Sequence, residues 1–373
     1  NYKQDHYQLH WNERYNNNWT TNIGLNYTYG RGYFEQYKED ENFADYDLVD
    51  LSIGGETINT TDLIRRRWLD NDFYVFNANA NYKNEVINFT FGTSYNTYTG
   101  NHFGEIIWAR FASDSEIGDQ YYNGLGKKKD FSIFSKATYR LNNKISLFGD
   151  LQMRFVNYKT TGLTSDRVNM LIDENYNFFN PKAGITYKLN PENNLYFSYA
   201  RANREPSRSD FESNPNIKPE QLNDFELGWR HNTKEALIIN TNVYYMLYNE
   251  QLVLSGAIDN TGAPIRTNSG ASYRLGLEVE ATLQVSKKFA IQPNLTFSSN
   301  KNKQTISQID GELVDLGKTN ISFSPEFVAA NALIYQPVSN LQLSFLSKYV
   351  GEQFMGNTDS EASKLGSYFV NDL

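Results

Sequence analysis

Residues 184–200 read GITYKLNPENNLYFSYA. Apolar or aromatic side chains alternate with polar or small ones on both sides of a break formed by Pro191, Glu192, Asn193 and Asn194. Period-two alternation on each side of a short Pro/Asn break predicts two antiparallel strands joined by a tight turn. The same unit recurs along the whole chain, with short breaks at 16–18, 83–85, 142–144, 190–194, 231–235, 286–288 and 337–340. Between them lie longer polar connections, such as 39–62, 111–120, 209–219, 256–268, 305–318 and 356–364. Short and long breaks strictly alternate in this reading, which predicts about fifteen up-and-down strands and no helix.

The two faces of these strands identify their solvent. In 273–283 the odd positions are Tyr273, Leu275, Leu277, Val279, Ala281 and Leu283, against Arg274, Gly276, Glu278, Glu280 and Thr282. Residues 222–230 oppose Phe225, Leu227 and Trp229 to Asp224, Glu226, Gly228 and Arg230. A ring stands just ahead of six of the short breaks: Tyr15, Tyr82, Tyr139, Tyr187, Trp229 and Tyr335. Amphipathic rings at one depth mark a membrane interface, and tight turns at one end with long loops at the other mark a transmembrane β-barrel. A wet inner face keeps mean hydropathy at −0.62 although aromatics reach 15%. No stretch approaches the roughly 20 apolar residues of a spanning helix. A β-strand crosses in about 9–11 residues, so runs such as 19–38 and 86–110 are expected to project past the bilayer.

Composition removes several functions. There is no cysteine, hence no disulfide or thiolate metal site. A net charge of −8 argues against nucleic acid as a partner. The basic runs at 65–67 and 127–129 read as solvated rim charge. No Gly-x-Ser-x-Gly elbow occurs, and none of His6, His10, His102 and His231 belongs to a helical metal-ligand motif. His102 with Glu105 reads as strand-end polarity rather than a metal pair. No catalytic residue, metal or cofactor is expected, and the chain is not read as an enzyme. The start lacks the apolar core of a signal peptide, and both ends read as strands in progress, so a longer chain is expected.

The stretch 179–211, FNPKAGITYKLNPENNLYFSYARANREPSRSDF, followed by IKPEQLNDFELGWRH and YRLGLEVEATL, resembles the C-terminal barrel region of TonB-dependent outer-membrane receptors. The matching positions are Arg204 and Pro206, then Lys218, Pro219 and Glu220, then Glu226 and Gly228, and later Gly276, Glu278 and Glu280. The resemblance implies an all-β transmembrane barrel of 22 strands with a plugged lumen, of which residues 1–373 would supply about fifteen as part of one barrel domain, without the N-terminal plug, the TonB-contacting segment and the last strands. It implies the outer membrane of a Gram-negative bacterium, loops outside and short turns in the periplasm. Lipid and lipopolysaccharide surround such a barrel, and TonB relays energy to it. Family substrates include ferric siderophores, haem, cobalamin and oligosaccharides, and FNPKAGITYKL with NREPS points to the siderophore-receptor branch.

Two functional classes compete: active import of a bulky nutrient, foremost an iron chelate, and a receptor-like barrel serving as a structural subunit of a larger membrane complex or beside a surface lipoprotein. An oligosaccharide importer is the alternative within the first. Candidate ligand contacts at the outer rim are Tyr33, Arg65, Arg67, Tyr98, His102, Trp108, Arg110, Tyr121 and Tyr122, joined by Tyr37, Trp68 and Tyr158, because rings stack on aromatic chelates and guanidinium groups bind their anionic oxygens. The acidic residues Glu39, Asp40, Glu41, Asp45 and Asp47 count against a highly anionic ligand. By parity Arg204, Glu226, Glu278 and Glu280 face the lumen and the plug.

Overall fold

The computed structural model of this chain describes residues 1–233, 236–258, 264–309 and 312–373. Its main sheet contains β1 (Tyr2–Arg14), β2 (Trp19–Asn42), β3 (Thr60–Lys83), β4 (Ile87–Ala109), β5 (Gln120–Arg140), β6 (Ile145–Leu163), β7 (Asn169–Asn190) and β8 (Asn193–Arg204). It continues through β9 (Glu220–Thr233), β10 (Leu237–Asn249), β11 (Ser272–Ser286), β12 (Phe289–Asn302), β13 (Phe327–Val338), β14 (Leu341–Val350) and β15 (Tyr368–Asp372). The strand order in the sheet is the order in the chain, and the two-residue strand Thr319–Asn320 pairs with β12 as a sixteenth member. The fold is all-β and up-and-down.

Asparagine makes the tight turns. Asn16 Oδ1 accepts from the backbone N–H groups of Asn18 and Trp19 at 2.8 and 2.9 Å. Asn84 does the same for Val86 and Ile87, both at 2.8 Å, and Asn142 for Lys144 and Ile145 at 2.8 and 2.9 Å. A side-chain oxygen that bonds backbone two and three residues on mimics a turn carbonyl, which is why these breaks need so few residues. Lys234 and Glu235 of the fifth break lie outside the described residues, as do 259–263 and 310–311 of two long connections.

Two expectations are corrected. The connection 164–168 is only five residues although it lies at the long-loop end, so short and long breaks do not strictly alternate. Thr164 closes it: its N–H donates to the Val168 carbonyl at 3.0 Å, and its hydroxyl accepts from the Val168 N–H at 3.2 Å. The absence of helix also fails, because Arg208–Ser213 form one α-helical turn and a half, α1. Ser207 caps it with Asp210 in a reciprocal capping box, a sequence signal of Ser-x-x-acid that the strand pattern around it obscured.

The chain divides into two compact units. One comprises Asn1–Tyr82, Thr90–Ser135 and Gln152–Phe178; the other comprises Lys83–Phe89, Lys136–Leu151 and Phe179–Leu373. In the second, Phe197, Leu227, Val243, Leu277, Phe297 and Phe327 stand opposite one another in one row across β8 to β13. Leu227 is 56% exposed and Phe297 52%. One residue along, the opposite face carries the row Tyr196, Gly228, Asn242, Glu278 and Thr296. Exposed hydrocarbon in continuous rows is stable against lipid and not against water, so this sheet is a membrane-spanning one.

On the polar face, two rings lie over glycines of the neighbouring strand. A Cβ on Gly228 would stand 2.2 Å from the Tyr196 ring, and one on Gly276 would stand 2.4 Å from the Tyr244 hydroxyl. The Tyr196 hydroxyl then reaches across Gly228 to donate to Asn242 at 3.1 Å. Gly228→Val is expected to displace this ring and destabilise the sheet by about 1–3 kcal/mol through overpacking. Unfolding in denaturant, followed by tyrosine and tryptophan fluorescence, measures it; an unchanged midpoint would contradict the ring placement.

In the first unit β2 and β3 run to 24 residues each and β4 to 23, over twice the span of a bilayer crossing. One face of β1 to β3 exposes Tyr7, Leu9, Leu25 and Tyr74. On that face of β3, Asp72 and Asp70 follow Tyr74 toward the long-loop end, so the apolar band ends there and the strands continue beyond it.

Candidate functional site

At the far ends of β2 to β5 the first unit builds a small core of its own. Alternation puts Leu63, Arg65 and Arg67 on the face opposite the exposed apolar one, and all three are buried. The connection after β2 folds over them: a single 3₁₀ turn, Phe43–Tyr46, ends with Asp47 at φ 63 and drives Phe43 and Tyr46 into the sheet. There they pack with Leu48, Leu63, Ile106, Tyr121 and Tyr122. Gly104 admits the last two rings, since a Cβ at that position would lie 2.3 Å from Tyr122 and 2.5 Å from Tyr121.

The guanidinium of Arg65 is the polar centre of this assembly. It is 7% exposed, and it donates through Nη1 to the Tyr46 hydroxyl at 2.8 Å and through Nη2 and Nε to Gln36 Oε1 at 2.9 and 3.2 Å. Tyr46 donates onward to Glu41 at 2.6 Å. Arg67 lies with its guanidinium carbon 5.6 Å from the Phe34 ring centroid and 6.0 Å from that of Tyr122. Arg167 ties the same connection down, donating to Asp47 at 2.6 Å and to the Tyr121 carbonyl at 2.7 Å.

Burial pushes the Tyr121 phenol up to about 12, with Arg65 opposing, and burial together with the bond to Glu41 holds the Tyr46 phenol above its ordinary value. A raised folded-state pKa stabilises the neutral form. This contribution is therefore full below the free phenol's pKa of about 10 and is lost as pH rises toward 12. Ultraviolet titration of tyrosinate is expected to show these two phenols ionising above the ordinary phenol range, together with loosening of the connection.

The predicted rim residues thus fall on two faces. Arg65, Arg67, Tyr121 and Tyr122 are buried beneath the connection, with Tyr158 buried as well. Tyr98 and His102 share that face by parity and are half-buried. Tyr33 packs against Trp68 on the other face, the two rings tilted with centroids 4.5 Å apart, and Trp68 donates to Glu105 at 2.8 Å. Trp108 is 46% exposed and meets Tyr37, while Arg110 pairs with Asp62 at 3.6 Å. Among the described residues no group of three or more potential metal ligands occurs. Phe43, Tyr46, Gln36 and Glu41 organise the site without having been singled out as contacts, because the reading treated this connection as polar loop.

In the second unit the four predicted inward residues share the polar face. Arg204 meets Glu220 at 3.1 Å across β8 and β9. Glu226 accepts from Ser198 at 3.5 Å, and Glu280 accepts from Asn240 at 2.7 Å, while Glu278 stands opposite Asn242. Glu278 and Glu280 are exposed, two carboxylates projecting from adjacent positions of one strand face. Replacing both with Gln is expected to leave the sheet's stability in detergent unchanged and to weaken only what docks against this face; loss of stability would make them structural instead. Of the turn-proximal rings, Tyr15, Tyr139, Tyr187 and Tyr335 are exposed, Tyr82 packs 5.0 Å from Trp19, and Trp229 donates to Asn193 at 3.0 Å.

Residues 1–373 match the family described as TonB dependent receptor-like, beta-barrel. Among solved structures, the ferric-catecholate import receptor Fiu from E. coli K12 is similar at 14% identity and a TM-score of 0.65, over 99% of this chain and 57% of that one. The siderophore receptor PiuA from Acinetobacter baumannii is similar at 14% identity and a TM-score of 0.67, over 99% and 57%. The ferric citrate transporter FecA is similar at 14% identity and a TM-score of 0.68, over 99% and 53%. This chain therefore spans little more than half the length of these structures. Comparison with curated protein sequences gives no match. With its full length matched and its two-faced up-and-down sheet, the chain belongs to the β-barrel family of TonB-dependent receptors.

Proposed function

We propose that this chain is barrel from an outer-membrane transporter that imports a ferric siderophore or similar iron chelate under the drive of TonB. The long connections act as the extracellular receptor, the Asn-closed turns face the periplasm, and the polar face of the sheet lines the conduit. The observation that carries the transport reading is the pair of rows one residue apart, lipid-compatible Phe197 to Phe327 and polar Tyr196 to Thr296. A wall that is apolar outside and hydrogen-bonding inside surrounds a hydrophilic path. The named iron-chelate receptors among the similar structures support the substrate class.

Within the first unit, the side chains that would meet such a ligand are the half-buried Tyr98 and His102 and the exposed Trp108 and Arg110. Arg65, Tyr121 and Tyr122 act beneath them, as the platform that holds the connection. The test is to compare expression with and without available iron, then uptake of labelled ferric chelates against labelled oligosaccharides. Induction on iron depletion with chelate uptake is expected. Glycan uptake without any response to iron would replace the substrate and leave the transporter standing.

A further inference from the structure

Three of the long connections of the second unit meet around a cavity of about 470 Å³. The hairpin of Leu252–Ile258 and Pro264–Asn268, between β10 and β11, forms one side, and Ser269 follows it. The chain leaving β12 forms another with Lys303 and Gln304, and Asn357 enters from the connection between β14 and β15. Asn302, the last residue of β12, lines the same cavity and is wholly buried.

Much of the polar lining is spent within the fold. Asn357 donates to the Leu254 carbonyl at 2.7 Å and accepts from the Ser322 N–H at 3.0 Å, Gln304 donates to Asp315 at 2.7 Å, and the Thr305 and Thr319 hydroxyls pair at 2.6 Å. Asn302 is spent on one side only. Its Nδ2 donates to the Asn320 carbonyl at 3.3 Å, which fixes the orientation of the amide, and its Oδ1 is left buried without a donor. The Ser269 hydroxyl is likewise buried and unpartnered. A buried polar atom without a partner is a standing cost to the fold, so two of them beside one cavity mark a place where a bound group supplies the missing bonds.

The unspent groups define the chemistry of that group. Asn302 Oδ1 only accepts, so it requires a donor such as a hydroxyl, while Ser269 takes either role. Lys303 is exposed and is the one charged side chain that lines the cavity; its ammonium group has no ion pair among the described residues. Neither a carboxylate nor an aromatic ring lines the cavity, so a cation finds no counter-charge there and a catechol-type chelate nothing to stack on. The volume lies in the lower part of the range for small-molecule sites, about 300–1,000 Å³. It suits one small molecule rather than a bulky chelate.

We propose that this cavity binds a small hydroxycarboxylic acid of the sugar-acid class, its carboxylate held by Lys303 and its hydroxyls by Asn302 Oδ1 and Ser269 Oγ. The site uses none of the residues of the first unit's platform, and it stands or falls independently of the transport reading.

The experiment is calorimetric titration of the full-length receptor in detergent with gluconate and galacturonate. Glucose offers the hydroxyls without the acid, acetate the acid without the hydroxyls, and glucose 6-phosphate a phosphate in place of the carboxylate. At least one sugar acid is expected to bind, with glucose and acetate each about 10-fold weaker or more, the loss of one charge-assisted or buried hydrogen bond. Lys303→Gln and Ser269→Ala are each expected to weaken the acid about 10-fold, and Lys303→Gln to remove its advantage over glucose. Heat-modifiable gel mobility confirms that each variant is folded. No binding of either acid by the folded receptor overturns the proposal and leaves ordered water as the occupant. Equal binding of acid and glucose overturns it too, as do tighter binding of glucose 6-phosphate than of either acid and binding that neither variant weakens.

Discussion

Leu277→Arg is expected to cost the barrel about 2–4 kcal/mol and to reduce its assembly, because Leu277 sits in the apolar row between Val243 and Phe297. An arginine there must leave water for hydrocarbon or distort the strand to reach the interface. Thr282→Arg, on the opposite face of the same strand, adds an equal charge and volume where water and polar neighbours are available. Its effect is expected to be small. Folded fractions of the two variants on a heat-modifiability gel make the comparison, and equal tolerance of both would refute lipid contact for the odd face of β11.

Arg65→Ala is expected to have a comparable cost, confined to the far ends of β2 to β5. Its side chain bonds Tyr46 and Gln36 at once from a 7% exposed position, and hydrogen bonds from a charged group are each worth about 1.5–3 kcal/mol. Truncation leaves the Tyr46 hydroxyl and its bond to Glu41 without their cationic neighbour, and opens a gap beside the Tyr46 ring. Limited proteolysis should then cut within 43–59, while gel mobility of the membrane-spanning part stays unchanged. Arg65→Lys should be intermediate, since an ammonium group lacks the planar fork that reaches both partners. Resistance of Arg65→Ala to protease would mean that Phe43, Tyr46 and Leu48 suffice to hold the connection. Retained chelate binding in a variant whose connection has loosened would place the ligand on Trp108 and Arg110 rather than near this platform.

Strand number, direction and facing were legible in the sequence, since each depends on local chemistry. Alternation along 273–283 assigns Leu277 and Glu278 to opposite faces by the pleat alone, and Asn16, Asn84 and Asn142 close their turns with neighbours two and three residues away. A low mean hydropathy with many rings followed from the same alternation. Helix α1 was legible too, in Ser207 and Asp210, but strand periodicity on both sides masked it. What only the tertiary structure decided is how far each side chain near the rim lies from solvent. Arg65, Arg67, Tyr121 and Tyr122 read as exposed contacts because cations and rings at strand ends are usually wet, yet Phe43 and Tyr46 fold back to cover them. That burial rests on contacts between residues up to about a third of the chain apart, such as Arg167 with Asp47, which no local pattern encodes. The same distinction separates the lysines of 127–129 from the arginines of 65–67: two basic runs alike in sequence, one left exposed above the apolar band at Lys127 and Lys129, the other drawn into a core at Arg65 and Arg67 because a connection from the neighbouring strand packs across it.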